Sequence, residues 1–225
     1  AIEGRAPAYL AVPEVDPGLC NHCRACAEIC QFKAISVLGE VVLTFPEMCH
    51  GCGACLAVCP TGALSEGRRE LGEVLWGRAG AVAYLAGRLR VGEAMSPPLM
   101  RCVKERFAAD SEEGRDLLID APPGVSCPAV NAVMDADAIL LVTEPTPFGA
   151  FDLDLARQPF APLGRPMGVV VNRAGLGNDR VYLDCARHGL PILAEIPYAR
   201  SIAEAYARGE IIARTAPRME ALFRD

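Results

Sequence analysis

Beyond about residue 66 the chain alternates short apolar runs with segments of mixed apolar and polar character. The runs 81–85, 117–120, 138–143, 167–172 and 192–196 are rich in β-formers and read as strands. The segments between them predict helices over 97–109, 129–136, 149–158, 179–188 and 201–208, most of them entered through Pro, Ser, Asp or Gly. This alternation predicts an α/β fold, a mostly parallel sheet with helices on its faces. Before residue 66 the pattern is different. There, 35–38 and 41–45 are β-rich and flank Gly39-Glu40, which predicts a tight hairpin.

The hairpin lies between two cysteine runs. Cys20, Cys23, Cys26 and Cys30 recur 29 positions later as Cys49, Cys52, Cys55 and Cys59, and Ala25, Ala34 and Ile35 recur as Ala54, Ala63 and Leu64, so this region is an internal duplication. Each run reads C-x2-C-x2-C-x3-C. Three thiolates at steps of three wrap three irons of a 4Fe-4S cubane, and the fourth cysteine lies beyond and ligates the other cluster. The spacing therefore implies crossed sets: Cys20, Cys23, Cys26 and Cys59 for one cluster, and Cys49, Cys52, Cys55 and Cys30 for the other. Small residues at Ala25, Gly51, Gly53 and Ala54 leave room for backbone N–H groups to reach cluster sulfur. His22 and His50 fall inside the loops, where they can donate hydrogen bonds but are not needed as ligands. Structural zinc is the competing reading, although it favours well-separated C-x2-C pairs with four ligands per ion.

Composition narrows the setting. The chain has 225 residues, 52% of them apolar, with a net charge of -6 and eleven cysteines. That is enough apolar material for a large core, and an acidic chain without a basic run argues against nucleic acid or an anionic membrane as partner. No apolar stretch approaches the roughly 20 residues of a membrane span. No secretion signal is visible, so a cytoplasmic location is expected, where clustered cysteines imply metal rather than disulfides. Residues 1–14 read as an N-terminal remnant, and Ile2-Glu3-Gly4-Arg5 within them spells a protease recognition sequence used to remove tags. The expected division is 1–14, a two-cluster domain at 15–66, and an α/β domain at 67–225. Cys102 and Cys185 read as packing residues. Cys127, past a Pro-Pro-Gly turn, reads first as a small buried residue, with a thiol able to sense a ligand or bridge a partner as the alternative.

Residues 15–66 resemble the two-cluster bacterial ferredoxins; Pro60 closes the second run as in that pattern, whereas Gln31 stands at the matching place in the first. Leu117-Leu118-Ile119-Asp120-Ala121-Pro122-Pro123-Gly124, Leu140 to Pro147 and Val169 to Gly175 together resemble the MinD/Mrp/ParA group of P-loop ATPases, in particular members with an inserted ferredoxin domain. That resemblance spans nearly the whole chain. It implies that Asp120 orders magnesium and the attacking water, Gly124 faces the terminal phosphate, Asn172 with Arg173 contacts the adenine, and Ile196-Pro197 closes over the base. From the residues alone, a strand-end helix cap at Asp120 and a turn former at Asn172 are the competing readings.

The phosphate loop G-x4-G-K-[ST] is absent, since neither of the two lysines, Lys33 and Lys104, follows a glycine or precedes Ser or Thr. The expectation is an incomplete nucleotide-binding domain in which ATP and magnesium belong to a complete family protein, so enzymatic activity of this chain is left open. The expected function is electron transfer through two 4Fe-4S clusters to a redox partner protein, with a homodimer or a paired paralogous ATPase as further partners. A cluster scaffold or carrier and a structural interaction subunit are the alternatives.

Overall fold

The computed structural model describes residues 1–110, 116–215 and 217–223. It divides into two compact units, Ala1–Leu117 and Leu118–Asp225.

The first unit is built on an antiparallel sheet of order β1-β4-β5, with β1 at Ile2–Val15, β4 at Leu64–Ala79 and β5 at Val82–Leu89. In β1 the residues Ala8, Leu10 and Val12 alternate inward and are all buried, the period-two signature of a half-buried strand. In β4 that alternation breaks. Ala8 pairs with Gly72 and Tyr9 with Glu70, which leaves Leu71 as the extra residue of a β-bulge. Leu71 is fully buried and packs with Leu10 and Val12. Between β1 and β4 the chain forms α1 (Ala25–Ile29), the hairpin β2 (Ile35–Leu38) and β3 (Val41–Thr44), a 3-10 turn at Pro46–Met48, and α2 (Ala54–Ala57). After β5, α3 (Ser96–Asp110) lays Leu99, with Cys102 and Val103, against Ala8, Val74, Leu85 and Leu89. Arg106 of α3 stacks its guanidinium 4.2 Å over the ring of Trp76, a cation–π contact.

Two sequence expectations change here. Residues 1–14, expected as a remnant, form most of a strand whose ladder runs nearly the length of β4. The run 81–85, expected in a parallel sheet, belongs to β5 and pairs antiparallel with β4. β1 and β4 also run across the boundaries expected at residues 14 and 66.

One charged pair lies inside this unit. Arg69 donates to the Glu93 carboxylate, with side-chain exposures of 12% and 7%, and Glu93 also accepts from the Met95 N–H at 3.1 Å. Burial works to raise the Glu93 pKa, but the Arg69 and backbone hydrogen bonds outweigh it and hold it below the ordinary carboxylate range.

The second unit carries the parallel sheet, of order β6-β7-β8: β6 Ile139–Thr143, β7 Met167–Ala174 and β8 Ile192–Pro197. Its helices are α4 (Cys127–Val133), α5 (Pro147–Phe160, followed by a 3-10 turn at Ala161–Leu163), α6 (Arg180–His188), α7 (Arg200–Ala207), α8 (Ile212–Thr215) and α9 (Pro217–Leu222). α5 and α6 are the β-α-β connections that parallel strands require. One sheet face buries Ile139, Leu141, Val169 and Val171 under Ala129, Ala150, Leu153, Val181 and Cys185. On β6 the alternate residues Leu140 and Val142 are exposed, as is Leu193 on β8.

The strand expected at 117–120 does not form. β6 pairs only with β7 among the described residues, and without a neighbour to take its backbone groups the segment stays irregular, with Leu117, Leu118 and Ile119 exposed.

Candidate functional site

The cysteine loops are shaped by left-handed backbone at three matched places. His22, Arg24 and Lys33 have φ of 56°, 69° and 54°, and their counterparts 29 residues on are Gly51, Gly53 and Gly62, with φ of 66°, 72° and 66°. The second half uses the residue that suits this region, and the first half accepts side chains there at about 1–2 kcal/mol each. Arg24 and Gly53 each sit at the N-terminal end of a short helical turn, α1 and α2, which carry Cys26 and Cys55. Cys30 caps α1, and Cys59 follows α2 with its N–H donating to the Leu56 carbonyl. Gly51 is constrained a second way, because a Cβ there would lie 2.4 Å from Leu10 Cδ1. The second loop is therefore seated on β1, where Cys49 also packs against the Leu10, Val12 and Leu71 core.

All eight cysteines of the two runs are free thiols. A cavity brings Cys20, Cys23 and Cys26 together with Cys59, alongside Thr61 and Ala63; Cys30 does not line it. Thus the fourth cysteine of the second run, rather than that of the first, joins the first loop. In the other half, the ring of Phe32, two residues past Cys30, stacks on His50, which directly follows Cys49, with centroids 3.5 Å apart and planes 10° from parallel. That contact ties the segment carrying Cys30 to the second loop. Among the described residues, no three His, Cys, Asp or Glu side chains are gathered for a single metal ion. Cys20, Cys23, Cys26 and Cys59 form an all-thiol set that lines one cavity, which fits a multi-iron cluster.

The thiols sit in unequal surroundings. Burial pushes Cys26 up from its ordinary pKa against the N–H groups of Ala27 and Cys26, and burial does the same to Cys55 against those of Leu56 and Cys55. Loading a metal displaces those protons, so acidic solution opposes it. At Cys59 burial also acts upward, but the Thr61 hydroxyl and the N–H groups of Thr61, Ala63 and Leu64 outweigh it, and the thiol is held below its ordinary value. Thr61 Oγ lies 3.8 Å from Cys59 Sγ. Other sulfur contacts are the Ala34 N–H to Cys30 Sγ at 3.3 Å and the Gly51 N–H to Cys49 Sγ at 3.4 Å. A wider groove beside Cys20 and His22 is lined by Glu14, Glu40, Glu47, Arg68 and Arg69, a mixed-charge surface.

In the second unit, Asn172 and Arg173 lie at the carboxyl end of β7, and Pro197 ends β8, where it pairs with Ala174. This sheet edge is where open α/β sheets bind ligands. Arg173 is left-handed, and its Nε is 3.3 Å from Glu144, the residue after β6. Glu144 is not a candidate from the sequence, which has no means of showing that pair across the strand ends. Asp120 and Gly124 lie on the irregular segment ahead of α4, with Asp120 exposed. Cys127 is exposed at the start of α4, Cys185 fills the core, and Cys102 is half-buried against α3's sheet.

Residues 13–36 and 42–65 each match the family of 4Fe-4S binding domains. This part of the chain is a 4Fe-4S binding domain. Over 178 residues, 79% of its length, the chain is 31% identical to the uncharacterised protein MJ0578 of Methanocaldococcus jannaschii, and over 126 residues, 56% of its length, 29% identical to MJ0579 of the same organism. It spans 62% of the first relative and 43% of the second. Among solved structures it is similar to the cell division ATPase MinD of Pyrococcus furiosus (26% identity, TM-score 0.43, 54% of this chain and 52% of that one). It is also similar to the MinD cell division protein of Aquifex aeolicus (22% identity, TM-score 0.40, 54% and 55%). The iron-sulfur region is flanked on its carboxyl side by the parallel α/β unit, and among the described residues no helix is long and apolar enough to cross a membrane.

Proposed function

We propose that the chain holds two 4Fe-4S clusters with crossed ligand sets, Cys20, Cys23, Cys26 and Cys59 for one and Cys49, Cys52, Cys55 and Cys30 for the other, and that it passes electrons through them to a protein partner. The observation that carries the reading is the cavity in which Cys59 meets the three cysteines of the first run. A bound 4Fe-4S cluster supplies one-electron chemistry with little change of shape. The residues of this chain do the rest: the thiolates fix position, backbone N–H groups offset negative charge, and the seating of the second loop on β1 keeps the ligands ordered when the charge changes.

The second unit is read as a MinD-like nucleotide domain. Asp120 and Gly124 would serve magnesium and phosphate, and Asn172, Arg173 and Pro197 would serve the base, so that nucleotide state governs docking. A second copy or a paired paralogous ATPase fits this reading, and the likeness to both MJ0578 and MJ0579 supports the pairing. A reducing cytoplasm suits eight unpaired thiols.

Exposure of Cys23 and Cys52 favours a second reading, a carrier that hands its clusters on. One experiment separates the two. Under anaerobic conditions the reconstituted protein is cycled between dithionite and a mild oxidant in the presence of an apo-ferredoxin. Electron transfer predicts reversible bleaching with iron retained through the cycles. Passage of most of the iron to the acceptor would instead establish the carrier.

A further inference from the structure

The duplication makes the two halves comparable position by position, and at one pair of positions the chemistry has diverged. Two residues beyond the fourth cysteine, the second run has Thr61 and the first has Phe32. Thr61 places its hydroxyl 3.8 Å from Cys59 Sγ. Once that sulfur is bound to iron as a thiolate it has no proton to give, so the hydroxyl is the donor. The Phe32 side chain offers no donor to Cys30, so that Cys30 and Cys49 accept only backbone N–H groups, from Ala34 at 3.3 Å and Gly51 at 3.4 Å, and the Phe32 ring is held against His50. The partner position has diverged in the same sense: Asn21, the counterpart of His50, turns its side-chain oxygen to the Cys23 N–H at 3.3 Å and orders the first loop.

Reduction adds negative charge to a cluster. A hydrogen bond to a ligand sulfur stabilises that charge and raises the potential, whereas an apolar neighbour in place of a donor does not. Resting on the crossed ligand assignment above, we propose that the clusters are unequal and that the one held by Cys20, Cys23, Cys26 and Cys59 has the higher potential, because Thr61 donates to Cys59 where Phe32 only stacks on His50. Each cluster accepts one electron from an external one-electron reductant, and no bond is made or broken. The second cluster is then the entry point and the first the resting place of the electron, next to the groove beside Cys20 and His22.

The test is a potentiometric titration of the reconstituted full chain, followed by low-temperature electron paramagnetic resonance, on wild type, Thr61→Val, Thr61→Ser and Phe32→Thr. Wild type should show two waves separated by at least a tenfold difference in reduction equilibrium, about 59 mV for one electron. Thr61→Val should move only the upper wave downward, Thr61→Ser should restore it, and Phe32→Thr should move only the lower wave upward. A single wave in wild type, or Thr61→Val and Thr61→Ser shifting it alike, overturns the inference while leaving the two-cluster reading intact. Iron well below two clusters per chain overturns that reading and the inference together. If Thr61→Val does not fold, Phe32→Thr decides the matter: a raised lower wave supports the inference, and an unmoved one overturns it.

Discussion

Replacing Cys20 and Cys59 together by alanine should leave one cluster in place, whereas replacing Cys20 and Cys30 together should remove both. The expectation follows from the cavity in which Cys59 completes the set of Cys20, Cys23 and Cys26. If the sets are crossed, Cys20 and Cys59 serve the same cluster, and their joint loss costs roughly four irons of roughly eight. Cys20 and Cys30 then serve different clusters, and each loses a ligand. Uncrossed sets predict the reverse, with Cys20→Ala/Cys30→Ala sparing one cluster. Iron and sulfide analysis of the two anaerobically reconstituted double variants reads the difference directly, and reversal of the two results would refute the crossed assignment. The Phe32–His50 stack supports the same topology from the other side, since it holds the Cys30 segment against the loop that begins at Cys49.

The second large effect concerns stability. Arg69→Met should lower the unfolding free energy of the holo-protein by about 3–5 kcal/mol, because it strands the Glu93 carboxylate, 7% exposed, without its cation. Glu93→Gln should cost less, and Arg69→Met/Glu93→Leu should recover most of the loss, since an apolar pair leaves no buried charge. Urea unfolding followed through Trp76, the single tryptophan and a residue of β4, should show the midpoint of Arg69→Met falling by on the order of 2 M. A fall under about 0.3 M would contradict the account. The pair also sets a pH dependence. The folded pKa of Glu93 lies below its unfolded value, so its contribution is fully present above the unfolded value, near 4.3, and is lost as pH falls through the folded pKa. Glu93→Gln removes that acid-side component.

The parts of the structure legible in the sequence are those governed by local rules. Cysteine spacing identifies the iron-sulfur domain. The Gly39-Glu40 turn places the β2–β3 hairpin, and the apolar periodicity locates β6, β7, β8 and the helices α3 to α7 within a few residues. The antiparallel sheet is less legible. In β4 the bulge at Leu71 shifts the inward-facing positions by one, so that Leu71, Val74 and Leu75 are all buried and no alternation is visible. Its Glu66-Gly67-Arg68-Arg69-Glu70 stretch is polar throughout, and its place in the sheet comes from the ladder to β1, in which Leu10 pairs with Arg69 and Tyr9 with Glu70. The strand expected at 117–120 has the right composition but no ladder partner among the described residues, and composition alone cannot supply one.

Within the site, the glycines of the second loop read from sequence as space for N–H groups approaching sulfide. Their larger role is conformational. His22, Arg24 and Lys33 adopt the same left-handed backbone in the first loop, and no sequence rule singles out Arg or Lys for it; the available signal is the alignment of the duplicated halves, which puts each opposite a glycine. Glu144, likewise, is tied to Arg173 by the meeting of two strand ends rather than by any motif.

The most direct test of the central claim is the metal content of the unmodified chain after anaerobic reconstitution, combined with electron paramagnetic resonance of the dithionite-reduced protein. Two clusters predict roughly eight irons and roughly eight acid-labile sulfides per chain, with a reduced spectrum broadened by coupling between two nearby spins. Colourless protein holding zinc without sulfide, or a single uncoupled cluster with half that iron, would contradict it.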